Sequence, residues 1–266
     1  MFRVYRLQHC GECLFQQIAL CNEPNGSGSG RGAEESGVSQ MALKYKETFN
    51  RLFFDKKIGY YTDGVETNHS SLHANMFALT FDMVPEKSVE SVINFVKSRG
   101  MVCSVYGSQH LLNAVYASED DDYGMKLLTS KDDRGWYHAI YNVGTTISIE
   151  AWDNKYKPNQ DWNHAWGAAP ANIIPMQLMG VQPLSPGFGR VLIKPQPSDL
   201  EWATLKYPTI RGDVEVSFLN GNNFSMDIKI LANMEAQVWI PNDKRGRVKV
   251  NGAIHEAKRI RNFYVI

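Results

Sequence analysis

The chain has 266 residues, 43% of them hydrophobic and 11% aromatic, and its 28 basic and 28 acidic side chains give a formal net charge of zero. That composition supports a globular core in one large domain or two ordinary ones, while the balanced charge excludes the basic footprint of a nucleic-acid binder. No apolar run approaches the roughly 20 residues of a membrane span, and no basic start leads into the apolar stretch of a signal peptide.

The first forty residues differ from the rest. Cys10, Cys13 and Cys21 fall there, with His9 beside them, but their spacing matches no common zinc module. NEPNGSGSGRGAEESG (22–37) has linker composition. Helical spacing begins in SQMALKYKETFNRLFF (39–54), which predicts Leu43, Phe49, Leu52 and Phe53 near one face. LHANMFALTFDMV (72–84) predicts an apolar helix stopped by Pro85. A second follows in 87–100, with Val89, Ile93 and Val96 sharing a face and Gly100 as C-cap. Residues 105–120 and 121–130 predict another helical pair, and 161–180 a further long helix ended by Gly180.

After Pro183 the period changes to two. Residues 190–197, 212–220, 224–231, 236–241, 246–252 and 262–266 are short, β-branched runs between turn residues, and GNN (221–223) signals a hairpin. The expected architecture is an all-α part followed by an antiparallel β-sandwich, divided near residue 184. The last strand stops at Ile266 without a polar tail, which leads us to expect one further strand.

The chemistry concentrates in TTISIEAWDNKYKPNQDWNHAWGAAP (145–170). Glu150 ends an apolar run and is followed by Trp152, Asp153, Asp161, Trp162, Asn163, His164 and Trp166, with Trp136, Tyr137 and His138 just upstream. Aromatic rings stack on sugar faces while Asn, Asp and His fix hydroxyls, and carboxylates cleave glycosidic bonds. Each residue also has an ordinary reading. Glu150 is equally a surface carboxylate, His164 a core histidine, and Trp136, Trp152 and Trp166 core packing. His69 and His73 are four apart, but Ser70 stands where a zinc protease pattern needs Glu, so no metal is expected.

GWYHAIYNVGTTISIEAWD, DWNHAWGAAPANIIP and GVQPLSPGFGRVLIKPQP, in that order, resemble the C-terminal half of bacterial α-L-rhamnosidases, family 78 of the glycoside hydrolases. The resemblance covers about residues 42–266. It implies a partial (α/α)₆ toroid over 42–183 and a C-terminal β-sandwich over 184–266, inversion at the sugar, and neither metal nor cofactor. Its substrate class is a rhamnose-containing glycoside or polysaccharide, and many bacterial relatives work in the periplasm or outside the cell. By the resemblance Glu150 falls on the general base and His164 on a rhamnose-binding histidine. Asn163 beside it is a further substrate-binding residue, Trp136 matches a sugar wall more loosely, and His73 or Asn75, near the cleft, is expected to reach the substrate. The family's general acid lies in an upstream acidic Gly-Trp motif that these residues lack, and segment 1–41 lacks the family's pattern. We therefore expect that segment to be a frame-shifted or chimeric start, and residues 1–266 by themselves to release no rhamnose. The competing expectation is a non-catalytic carbohydrate-binding or interaction module.

Overall fold

The computed structural model describes residues 32–241 and 248–266, with side chains from residue 40 onward. The cysteines of CGEC, Cys21 and most of the Gly/Ser-rich stretch lie outside the described residues. The fold separates into two compact units, one ending at Ala169 and one running from Pro170 to Ile266.

The first unit is helical. Helix α1 (Gly32–Phe53) begins ahead of the spacing that predicts it from residue 39. Its buried face runs through Ala42, Phe49 and Phe53, whereas Leu43 and Leu52 are exposed. Steps of seven and four stay on one stripe of a 3.6-residue helix, and Leu43 and Leu52 fall beside it. Phe49 meets fully buried Tyr61 at 5.1 Å between ring centroids. Tyr61 belongs to a two-rung hairpin of β1 (Phe54–Asp55) and β2 (Tyr60–Tyr61).

Helix α2 (Leu72–Thr80) opens on Ser71, whose hydroxyl accepts the Ala74 N–H, and ends well short of Pro85. Asp82 takes φ 52° and the Met83 N–H turns back to the Ala78 carbonyl, so the chain reverses before the proline is reached. Helix α3 (Val89–Arg99) follows a 3₁₀ turn at Glu86–Ser88 and is ended by Gly100 at φ 59°. Helix α4 (Val105–Ala117) is capped by Ser104 and α5 (Asp121–Leu128) by Asp120, with Asp121 and Asp122 in the first turn of α5. Helix α2 packs on both α3 and α4, and α4 on α5, as consecutive helical hairpins do.

The long helix expected over 161–180 does not form. Instead a loop leads into a 3₁₀ turn (Ala165–Ala168), a short α-turn (Ala169–Ile173) and a π-turn (Ile174–Leu178). Residues 161–164 give their backbone groups to residues 148–150, which removes them from any helix. Pro170 and Pro175 then limit the α-ladder that follows.

The second unit carries strands β3 (Val181–Pro183), β4 (Arg190–Ile193), β5 (Trp202–Thr209), β6 (Gly212–Asn220), β7 (Phe224–Lys229), β8 (Glu235–Pro241), β9 (Val248–Val250), β10 (Ala253–His255), β11 (Lys258–Ile260) and β12 (Phe263–Val265). One sheet has the order β11-β12-β8-β4-β3 and another β5-β6-β7, while β9 and β10 pair separately. Among the described residues all pairings are antiparallel except β4 with β8, which run parallel, a departure from the all-antiparallel expectation. The GNN turn joins β6 to β7 with Asn220 opposite Phe224. Strand β6 buries Val214, Val216 and Phe218 in strict alternation. Strand β5 was not expected, because Lys206 and Pro208 dilute its pattern; as an edge strand it tolerates the proline. Gly180 takes φ 74°, and a Cβ there would lie 2.0 Å from the Lys194 carbonyl oxygen, so only glycine fits.

Candidate active site

Glu150 belongs to a loop that closes on itself. The Glu150 N–H donates to the Asp161 carbonyl (3.0 Å) and the His164 N–H to the Ser148 carbonyl (2.9 Å), so 148–150 and 161–164 lie side by side. Between them, buried Gln160 fills the interior of the excursion. Its Oε1 accepts the Ala151 N–H (3.0 Å) and its Nε2 donates to Asn154 Oδ1 (2.9 Å). Gly167 rests directly on this ladder, since a Cβ at that position would meet the Ile149 carbonyl oxygen at 2.6 Å and its nitrogen at 2.9 Å.

Both oxygens of the Glu150 carboxylate are held. Oε1 accepts from the Lys157 ammonium and Oε2 from the Asp161 N–H at 3.1 Å. The Lys157 hydrogen bond, then the Asp161 N–H, hold this carboxyl below the usual range, outweighing the opposing effect of desolvation, and the field of His164 adds to the lowering. The group is therefore a carboxylate at neutral pH, able to accept a proton. His164 caps the 3₁₀ turn after it: Nδ1 of the neutral ring accepts the Trp166 N–H at 3.3 Å, the tautomer with its proton on Nε2. Asn163 is exposed beside it.

The three tryptophans left open by the sequence separate by environment. Trp152 is 3% exposed and its indole N–H donates to the Cys103 carbonyl at 2.9 Å, just ahead of α4. Trp136 donates to the Gly167 carbonyl at 2.8 Å and meets Trp152 edge-on at 5.0 Å. These two indoles brace the loop from behind. Trp166 is different: it is 51% exposed, lies 4.4 Å from the His164 ring, and tilts against half-exposed Tyr106 at 5.0 Å. Of the three, only Trp166 presents a broad open face.

A second network anchors the excursion. His138, in a short helical turn (Trp136–His138), donates from Nε2 to Asp153 Oδ2 at 2.7 Å while Asn142 donates to its Nδ1 at 3.0 Å. Asp153 also accepts the Lys155 N–H at 3.0 Å, and that backbone contact followed by His138 lowers its carboxyl from the ordinary value. Lys155 itself pairs with Asp133. Lys157 and Gly167 are not marked by the sequence; His138 and Asp153 belong to the polar cluster read there, but their pairing is not legible in it. The spacing of Lys157 from Glu150 is a loop distance, and no periodicity marks it.

The 66–76 segment divides. Asn75 is fully buried, donating to the Tyr61 and Ser71 carbonyls and accepting the Tyr61 N–H, so its side chain is spent on the fold and is closed to a substrate. His69 pairs through Nδ1 with Asp63, whose other oxygen takes the Ser71 N–H. His73 stands half-buried in the first turn of α2, on a different element from the Glu150 loop. Among the described residues, no three His, Cys, Asp or Glu side chains converge as metal ligands.

The model of the bacterial alpha-L-rhamnosidase 6 hairpin glycosidase domain matches residues 27–178, more than half of the chain, and that of the bacterial alpha-L-rhamnosidase C-terminal domain matches residues 180–255. The chain belongs to the bacterial α-L-rhamnosidase family. The match to the 6 hairpin domain starts at residue 27, inside segment 1–41, whose sequence shows none of the family's pattern. An α-L-rhamnosidase of Alteromonas sp. (strain LOR) is 26% identical over 79% of this chain and 24% of its own length. The α-L-rhamnosidase structure from Dictyoglumus thermophilum superposes with a TM-score of 0.75 at 23% identity, covering 89% of this chain and 28% of that one. That of Streptomyces avermitilis, complexed with L-rhamnose, superposes with a TM-score of 0.66 at 17% identity over 87% and 23%. The chain thus spans about a quarter of the length of the curated rhamnosidases it matches. No helix among the described residues is long and apolar enough to cross a membrane.

Proposed function

We propose that this chain provides the general-base half of a rhamnosidase site, in a protein that removes terminal α-L-rhamnose from glycosides or polysaccharides with inversion. The observation that carries the reading is the Glu150 carboxylate, ionised and held at both oxygens beside His164 and the open face of Trp166. In an inverting cleavage the base takes a proton from a water that attacks the anomeric carbon, while an acid on the opposite face protonates the leaving oxygen. Such pairs stand about 6.5–9.5 Å apart, leaving room for that water. Glu150 suits the base role because the Lys157 ammonium and the Asp161 N–H keep it charged, whereas an acid needs its proton retained. L-rhamnose bound to the related Streptomyces protein supports the sugar class.

The test is release of L-rhamnose from an aryl α-L-rhamnoside by the complete reading frame carrying this segment, with the first-formed anomer read by NMR. The β-anomer is expected. An α-product would replace inversion by retention, and sugar binding without release would favour a non-catalytic module.

Two side chains separate binding from chemistry. His164→Ala is expected to raise KM about tenfold with kcat changed only a few-fold, because a hydroxyl contact is made in ground and transition states alike. A histidine serving only the fold would lower Tm and leave KM alone. Trp166→Ala is expected to raise KM about fivefold, corresponding to roughly 1 kcal/mol of lost stacking. Since its ring is half open, Tm should hardly move, and an unchanged KM would remove the stacking role.

A further inference from the structure

We propose that Lys157 is a positioning residue for Glu150, fixing one carboxylate oxygen as the Asp161 N–H fixes the other, so that the base meets its water in one orientation. This rests on the assignment of Glu150 as base.

An ion pair on a flexible loop contributes little, because ordering two long side chains offsets the Coulomb gain. Lys157 is placed differently. The Asp153 carbonyl accepts the Tyr156 N–H at 3.0 Å, and the Lys157 carbonyl accepts the Gln160 N–H at 3.2 Å. Asp153 is itself secured by His138, and Gln160 returns to the Ala151 N–H next to Glu150. The lysine backbone is therefore bracketed by two turns tied to the same loop that carries the base. The Glu150 side chain is only 16% exposed and that of Lys157 40%, so the contact is partly withdrawn from water. A carboxylate offers about four acceptor sites. One goes to Lys157 and one to Asp161, which leaves one on each oxygen for a water.

The consequence is legible in the pH profile. Lys157 is the first cause of the lowered Glu150 carboxyl, the Asp161 N–H is second, and His164 adds to it only when its ring is protonated. Neighbouring Lys155 is engaged with Asp133, and Asp153 with His138. A base works only when ionised, so depressing its pKa carries activity to lower pH, and removing the cause must move the acid limb upward.

The experiment compares kcat/KM against pH for the complete enzyme and its Lys157→Met, Lys157→Arg and Lys155→Met variants. Lys157→Met is expected to raise the acid limb and to lower plateau kcat about tenfold, with KM little changed. Lys157→Arg should restore the limb, and Lys155→Met should leave it in place. An unmoved limb and plateau in Lys157→Met overturn the proposal, as does an equal shift in Lys155→Met, which would mean a diffuse charge effect. Should Lys157→Met fail to fold, Lys157→Gln reads the same limb, with the same outcomes for and against. Glu150→Gln run alongside separates the two levels of argument. If it retains turnover, the base assignment itself fails; if it is dead while Lys157→Met behaves as wild type, only the positioning role fails.

Discussion

Glu150→Gln, in an enzyme carrying this segment, is expected to lower turnover by about 10²- to 10⁴-fold, the range in which a positioned base contributes. Substrate affinity should stay within roughly tenfold, because the amide keeps the shape of the side chain and its carbonyl oxygen can still accept the Asp161 N–H. What the amide cannot do is take a proton from water, and that demand arises only on the way to the transition state. Kinetics and a melting curve on one preparation decide the matter. A variant with normal Tm and near-normal kcat would falsify the base assignment.

Gly167→Ala has the next largest expected effect, although its methyl touches no substrate. The added carbon would sit 2.6 Å from the Ile149 carbonyl oxygen and 2.9 Å from the Ile149 nitrogen, and both are backbone atoms that cannot rotate away. Either the 3₁₀ turn retreats or the loop bearing Glu150 is pushed outward. Overpacking of this kind costs about 1–3 kcal/mol of stability, and a displacement near 1 Å at a catalytic group costs about a hundredfold in rate. We therefore expect kcat/KM to fall about a hundredfold together with a lower Tm. Gly221→Ala is the control, because a Cβ there meets nothing within 4 Å. Equal behaviour of the two variants would show that the close approach at Gly167 carries no weight.

The elements legible in the sequence were those whose burial follows a period. Helix α3, with its Gly100 stop, and strand β6, with alternating Val214, Val216 and Phe218, were read from spacing alone. The reading departs from the structure where main-chain groups pair outside the local helical ladder or the backbone leaves helical angles. The 161–180 stretch carries helix-compatible apolar residues, yet Asp161 and His164 give their main-chain groups to Glu150 and Ser148. The spacing carries the α2 helix to Pro85, but Asp82 adopts a left-handed backbone and the helix ends sooner. In the candidate site, Glu150 and His164 stood out through motif residues. Lys157 and Gly167 did not, since one acts across a loop and the other by having no side chain. The tryptophans were ambiguous for a physical reason: composition records the ring, while only the fold shows whether its N–H is tied, as in Trp136 and Trp152, or its face left open, as in Trp166.

The paired backbone bonds from Glu150 to Asp161 and from His164 to Ser148 make carboxylate and imidazole members of one mechanical piece. A drift of the loop carries both groups in the same direction, so their mutual spacing is conserved even when their placement is not. On the proposed assignments, retuning recognition at His164 is then a matter of exchanging side chains, since bending the main chain there drags Glu150 along. Rate and recognition are thus mechanically coupled, and paired substitutions at Gly167 and His164 should depart from additivity.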